Sequence, residues 1–265
     1  YEPVKRWLES SGYTVRGEVR GCDVVAVREG EPWPVIVELK KRFNLSLFLQ
    51  ALDRLSATPL VYVAAEKRER GNAFAIGELR RLCAMLGIGL LTVRLYKRKP
   101  AFVEVHCEPA GAAAGPAAAD GLGAGAAFAT AASDLAPVAA PAGKLSPAKP
   151  GRRTERLLKE FNGRSGDHNA GGSAGRELVT AYREKALQCA HALKTHGPLA
   201  PRQVRDLIAS DMAASILQRN VYGWFRRISR GLYALTPAGE EALVRFADVA
   251  AARGGVSGTA GAAPE

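Results

Sequence analysis

Cysteine is scarce: Cys22, Cys83, Cys107 and Cys189 are the only four, far apart and in no C-x-x-C pair. That spacing argues against a zinc ribbon and against a disulfide framework, and the expectation is buried reduced thiols in a reducing cytoplasm. The four histidines, His106, His168, His191 and His196, show neither H-x-H nor H-E-x-x-H spacing, so no metal centre or catalytic role is read from them. No run approaches the ~20 apolar residues of a membrane span, and no basic-then-apolar leader opens the sequence, so no membrane partner is expected. Acidic residues are the scarcer charge, 26 against 37 Lys and Arg in 265 residues, a formal net charge of +11. This balance favours a polyanionic partner, nucleic acid first.

What is present supports real cores. Hydrophobic residues make up 47% of the chain and aromatics 7%, enough for two modest domains. In YEPVKRWLESSGY, Val4, Trp7 and Leu8 share one helical face and Gly12 marks the stop. Three strand-like runs follow, TVRGEV, DVVAV and PVIVEL, separated by the turn signals RGC and REGEPWP. A helix from about 45 to 57, a strand LVYVAA, a helix IGELRRLCAML closed by Gly87 and a strand IGLLTVRLY complete the first part. The order helix, three strands, helix, strand, helix, strand predicts an α/β domain with a mixed central sheet flanked by helices over residues 1–108.

Residues 109–150 are dominated by Ala, Gly and Pro, the composition of a disordered linker. A second, mostly α domain is expected over 151–250, with a disordered tail at 251–265. It opens with a short basic helix and a polar Gly-rich loop, and then a long helix carries Val179, Tyr182, Ala186, Cys189, Ala190 and Leu193 on one stripe. PLAPRQVRDLIA reads as a second helix and ASILQRNVYGWFRRISRG as a third. A short strand, a turn at 237–239 and a closing helix end the domain. Three helices and a small strand pair are the layout of a winged helix-turn-helix.

The segment VIVELK sets charge into an apolar strand. Residues i and i+2 of a strand share a face, so Glu38 and Lys40 stand side by side, and Asp23 lies on the neighbouring strand. A divalent cation is one remedy for the negative charge that opposes phosphodiester hydrolysis. Mg²⁺ accepts one or two carboxylates with a backbone carbonyl, which Asp23, Glu38 and the carbonyl of Leu39 could supply. Lys40 would then stabilise charge on the phosphate or orient the attacking water. Taken singly, Asp23 is an ordinary turn residue and Glu38–Lys40 a same-face ion pair worth about 0.2–1 kcal/mol. Three such groups inserted where apolar side chains are expected favour the metal site.

Asp23 followed by Glu38-Leu39-Lys40, in this order of elements, resembles the signature of the PD-(D/E)XK nucleases. The longer wording, including GYTVRGEVRGCDVVAV, VIVELKKRFNLSLFLQ, RSGDHNAGGS and NVYGWF, is similar to a bacterial family of unknown function grouped with PD-(D/E)XK-type phosphodiesterases. The resemblance implies a restriction-endonuclease-like fold, magnesium (or manganese) as cofactor, and a homodimer as one arrangement for cutting both strands. It also implies a site role for Gln50 on the following helix, and it makes Glu2 the residue available for a further acid on the first helix. Cys22-Asp23 stands where the family pattern has proline-aspartate.

Lys41, Arg42 and Arg54 follow the motif as a candidate basic rim for a phosphate backbone, but a solvated charge run is the favoured plain reading, and the KRKP run at 97–100 invites the same caution. Glu18, one strand before Asp23, is read as a supporting acid or a solvated strand residue ahead of a further ligand. In the second domain Gln218, Arg219, Asn220, Tyr222, Arg226, Arg227 and Arg230 are the candidates for nucleic-acid contact, within a segment holding 17 basic and 10 acidic residues over 151–253. The function expected is a Mg²⁺-dependent phosphodiesterase delivered to DNA by the C-terminal domain. Two alternatives stay open: an inactive regulatory protein on a nuclease-like scaffold, and hydrolysis of a small nucleotide.

Overall fold

The computed structural model describes residues 1–67, 75–114, 148–172 and 177–251. Most of the expected linker (115–147) and all but the first residue of the expected tail lie outside them. The chain divides into two compact units, Tyr1–Leu178 and Val179–Glu265.

The first unit is a six-stranded sheet in sequential order: β1 (Thr14–Val19), β2 (Cys22–Val27), β3 (Val35–Lys40), β4 (Val61–Glu66), β5 (Gly89–Arg94) and β6 (Phe102–Cys107). The pairs β1–β2, β2–β3 and β5–β6 are antiparallel, and β3–β4 and β4–β5 are parallel. The parallel steps need helical crossovers, supplied by α2 (Leu45–Arg54) and α3 (Ile76–Leu86). Two apolar layers follow from strand alternation. Val24, Ala26, Val35 and Val37 pack with Val4, Trp7 and Leu8 of α1 (Glu2–Ser10). Val25 and Ile36 pack on the opposite side with Leu47, Ala51, Leu79 and Cys83 of α2 and α3. This is the mixed α/β sheet, flanked by helices, that the pattern implied. The sixth strand went unread, since FVEVHC follows a basic, Pro-containing turn and places Glu104 and His106 among its apolar residues.

The boundary between the units differs from the expectation at residue 151. Helix α4 (Arg152–Gly163) belongs to the first unit: Leu157 and Phe161 join the layer under α2, and the buried hydroxyl of Thr154 donates to the carbonyl of Ala57 at 2.6 Å. The apolar spacing 154, 157, 161 is one face of a helix, and its partner is the sheet rather than the downstream helices. The first unit also extends past 108. A 3₁₀ turn, Ala110–Ala114, brings Gly111 so close to Pro59 that a Cβ there would meet the proline at 2.4 Å.

The second unit packs α5 (Ala181–His196), α6 (Pro201–Ile208), α7 (Ala213–Arg219) and α8 (Pro237–Arg245) around Leu187, Leu193, Val204, Ile216, Leu217, Trp224 and Leu243, with α9 (Ala247–Ala251) after α8. A hairpin, β7 (Phe225–Ser229) with β8 (Leu232–Leu235), stands between α7 and α8, and Leu199 forms an isolated antiparallel bridge to Tyr233. Two expectations are corrected. The third helix stops at Arg219, because Asn220 takes a left-handed φ of 45° and Gly223 one of 70°, so Arg226, Arg227 and Arg230 sit on or beside the hairpin. Pro237 opens a helix instead of a turn, with Thr236 as its cap accepting from the amide of Gly239 at 3.2 Å.

Candidate active site

Strand pairing brings the motif together. Val24 pairs with Val37, so one step further along this antiparallel pair Asp23 stands opposite Glu38. By alternation Asp23 shares the face of Val25, and Glu38 and Lys40 that of Ile36, all toward α2. Asp23 is 9% exposed and Glu38 0%. Where the β2–β3 ladder ends, the Asp23 carboxylate extends it by accepting the amide of Leu39 at 2.7 Å. Lys40 and Leu39 are half-buried at the mouth, and Lys41 and Arg42 are exposed just beyond.

The structure adds a partner that the sequence did not reveal. Arg54, expected on an open rim, turns inward from the last turn of α2. Its Nε donates to Glu38 Oε1 at 2.7 Å and its Nη2 to the Gly21 carbonyl at 2.5 Å. Glu38 Oε2 is buried with no hydrogen-bond partner. Burial and the facing Asp23 push the Glu38 carboxyl up to about 7, with Arg54 pulling against them. Two carboxylates held this close in a dry setting, with one oxygen left over, form a donor set that a divalent cation would satisfy. Together with the carbonyl of Leu39 the residues fit such an ion, although no cluster of three or more His, Cys, Asp or Glu exists among the described residues. Gln50 lies on the same helix as Arg54, its Oε1 likewise buried without a partner, beside an open hollow of about 500 Å³ lined by Leu45, Ser46, Leu49, Gln50, Asp53 and Arg54. Glu2 is exposed and paired with Arg6 on its own helix at 3.1 Å.

A second missed element holds the Asp23 strand. The β1–β2 hairpin turns at Arg20–Gly21, both at positive φ (52° and 78°), as a two-residue hairpin turn requires. Glu18, by register opposite Asp23, also has a left-handed φ, 53°, strained for a residue with a Cβ. The segment after α4 fixes this kink. Arg164, 3% exposed, donates to the carbonyls of Gly17 (3.0 Å) and Glu18 (2.9 Å), and the amide of Gly172 donates to the Glu18 carboxylate at 2.8 Å. Asp167 accepts from the Gly17 amide (2.7 Å), Lys5 Nζ (2.6 Å) and the Tyr1 hydroxyl (2.5 Å). Gly171 passes so near the Asp23 backbone that a Cβ would meet its carbonyl oxygen at 2.0 Å, so only glycine allows the approach. The polar Gly-rich loop RSGDHNAGGS, expected in the second domain, thus packs from Arg164 to Gly172 on the sheet of the first unit.

In the second unit Arg219, Arg226, Arg227 and Arg230 are exposed. Asn220 is not available as a base reader: its amide donates to the Phe225 carbonyl at 2.6 Å and accepts the Phe225 amide at 3.0 Å, clamping the start of the hairpin. Tyr222 stacks on Trp224, ring centroids 4.5 Å apart, as part of the core.

Residues 127–242 match the model of the family described as "Putative PD-(D/E)XK phosphodiesterase (DUF2161)". The match takes in α4, the Arg164–Gly172 loop and the second unit through most of α8, and it leaves Asp23, Glu38 and Lys40 upstream. No curated protein and no solved structure matches the chain. Among the described residues no helix is long and apolar enough to cross a membrane.

Proposed function

We propose that the chain is a metal-dependent phosphodiesterase acting on nucleic acid, DNA in the first place, with Asp23, Glu38 and Lys40 as its site. The observation that carries this is the facing pair of buried carboxylates with one unpartnered oxygen, at Glu38 Oε2, and a lysine on the same face. Asp23, Glu38 and the carbonyl of Leu39 would hold Mg²⁺ or Mn²⁺, which when bound supplies charge neutralisation at the phosphate and a more acidic water. The Lys40 ammonium stabilises negative charge building on the phosphate oxygens. Gln50 Oε1 accepts a proton-bearing group entering the site, and Arg54 fixes the orientation of Glu38. Lys41 and Arg42 hold the backbone of the substrate.

The second unit acts as a winged helix that binds DNA. Its order supports this: α5, the bridge strand at Leu199, α6, α7, then the β7–β8 hairpin as the wing. Arg219 ends the helix that would enter the groove, and Arg226, Arg227 and Arg230 on or beside the hairpin face the adjacent phosphates.

One observation favours the second reading, a regulatory scaffold without catalysis: Arg54 already neutralises one oxygen of Glu38. Cleavage of plasmid, single-stranded and branched DNA with Mg²⁺ or Mn²⁺ separates the two, with Asp23→Ala and Lys40→Ala alongside. The enzyme reading expects metal-dependent cutting that both substitutions abolish in folded protein. Absence of cutting, with DNA binding that weakens as salt rises, supports the scaffold.

A further inference from the structure

The turn between β5 and β6 exposes large apolar side chains together with cations. Leu95 is 58% exposed, Tyr96 47% and Phe102 42%, and the exposed cations Lys97, Arg98 and Lys99 lie between them. Folding gains nothing from large apolar side chains left in water at a tip. The acid nearest the base of this hairpin is already engaged: Glu104 accepts from Lys67 Nζ at 2.7 Å and Thr92 Oγ1 at 3.0 Å and pairs with Arg94 at 3.2 Å. Among the described residues Lys97, Arg98 and Lys99 form no ion pair, and they place three positive charges beside an aromatic ring.

Its position follows from the register. Glu38 is paired with Val63 and Val63 with Leu90, and these strands run parallel. The tip therefore projects from the same end of the sheet as Lys40, two strand spacings or about 10 Å to the side, and begins about 16 Å beyond the level of Glu38. A chain that places a phosphate at Asp23 and Glu38 would have its neighbouring nucleotides within reach of that tip.

We propose that the β5–β6 tip, with Tyr96 as stacking surface and Lys97, Arg98 and Lys99 as phosphate contacts, is a docking element for single-stranded nucleic acid beside the site. Exposed aromatics interleaved with cations bind unpaired bases, whose faces are free to stack, better than a duplex, whose bases are already stacked. The inference rests on the reading of the chain as a nucleic-acid phosphodiesterase, and it gives that enzyme a preference for substrates with an unpaired strand.

The test is fluorescence anisotropy on the full chain with labelled oligothymidylate and with a duplex of equal length, in chelator so that nothing is cut. Tyr96→Ala should weaken oligothymidylate binding about tenfold and leave duplex binding unchanged. Replacing Lys97, Arg98 and Lys99 by Gln should lower the slope of log affinity against log salt by about 2 on the single strand. These side chains are exposed, so thermal melts should match wild type. Unchanged oligothymidylate binding in both variants, or an equal loss on the duplex, overturns the proposal. Failure of the enzyme reading would look different: no cleavage by wild type in metal, with the Tyr96 effect intact.

Discussion

Replacing Asp167 by alanine removes the acceptor shared by the Gly17 amide, the Lys5 ammonium and the Tyr1 hydroxyl. The Gly17 amide is buried, and leaving it unpaired costs about 1–3 kcal/mol. Lys5 and Asp167 side chains are 21% and 11% exposed, so loss of their charged hydrogen bond adds about 1.5–3 kcal/mol. The tyrosine hydroxyl can turn to water and adds little. The total, about 3–5 kcal/mol, should lower the melting temperature of the first unit by about 6–20 °C for a unit of this size. Calorimetry of the full chain is the assay, with the transition of the second unit as an internal reference that should stay in place. Asp167→Asn keeps an acceptor but loses the charge and should fall between. Amide exchange at Asp23 and Val24 should accelerate, because the strap formed by residues 164–172 holds the kink opposite Asp23. A shift of less than about 2 °C in the first unit, or an equal shift in the second, would refute the assignment of this loop to the sheet domain.

Two further outcomes are expected. Burial lifts the Glu38 carboxyl from its ordinary 4.5 to about 7, so between those pH values the folded chain keeps a proton that the unfolded chain has lost. In chelator, the stability of wild type relative to Glu38→Gln should therefore fall by about 3 kcal/mol as pH rises from 4.5 to 7 and stay level above; denaturant titrations across that range check it, and a difference that is flat or rises contradicts it. Arg226→Ala with Arg227→Ala should reduce the salt slope of duplex binding by about 2, read from affinities at several salt concentrations, with single-strand binding at the β5–β6 tip unaffected.

Much of the first unit was legible because β-branched runs and helical stripes follow from one-dimensional spacing. VIVELK showed its anomaly directly, since charge in a buried strand has few innocent explanations. Arg54 was not legible in its true role: it is 16 residues from Glu38, and only the packing of α2 on β3 turns it inward. The strap was misplaced for a related reason. Residues 152–172 follow a low-complexity stretch and so read as the start of the next domain, but the apolar face at Thr154, Leu157 and Phe161 is satisfied by the sheet behind them. In the second unit Asn220 and Gly223 carried the signal for the end of α7, since both residue types tolerate left-handed backbone. Thr236-Pro237 is likewise a helix start in cap and first-turn chemistry.

Calorimetric titration of Mn²⁺ into chelator-treated protein decides whether Asp23 and Glu38 form one divalent-cation site. One site per chain is expected, lost in Asp23→Asn and in Glu38→Gln, and weakening as pH falls below about 7 because the proton on Glu38 competes with the ion. Binding that survives both substitutions, or no binding by folded wild type, would contradict it.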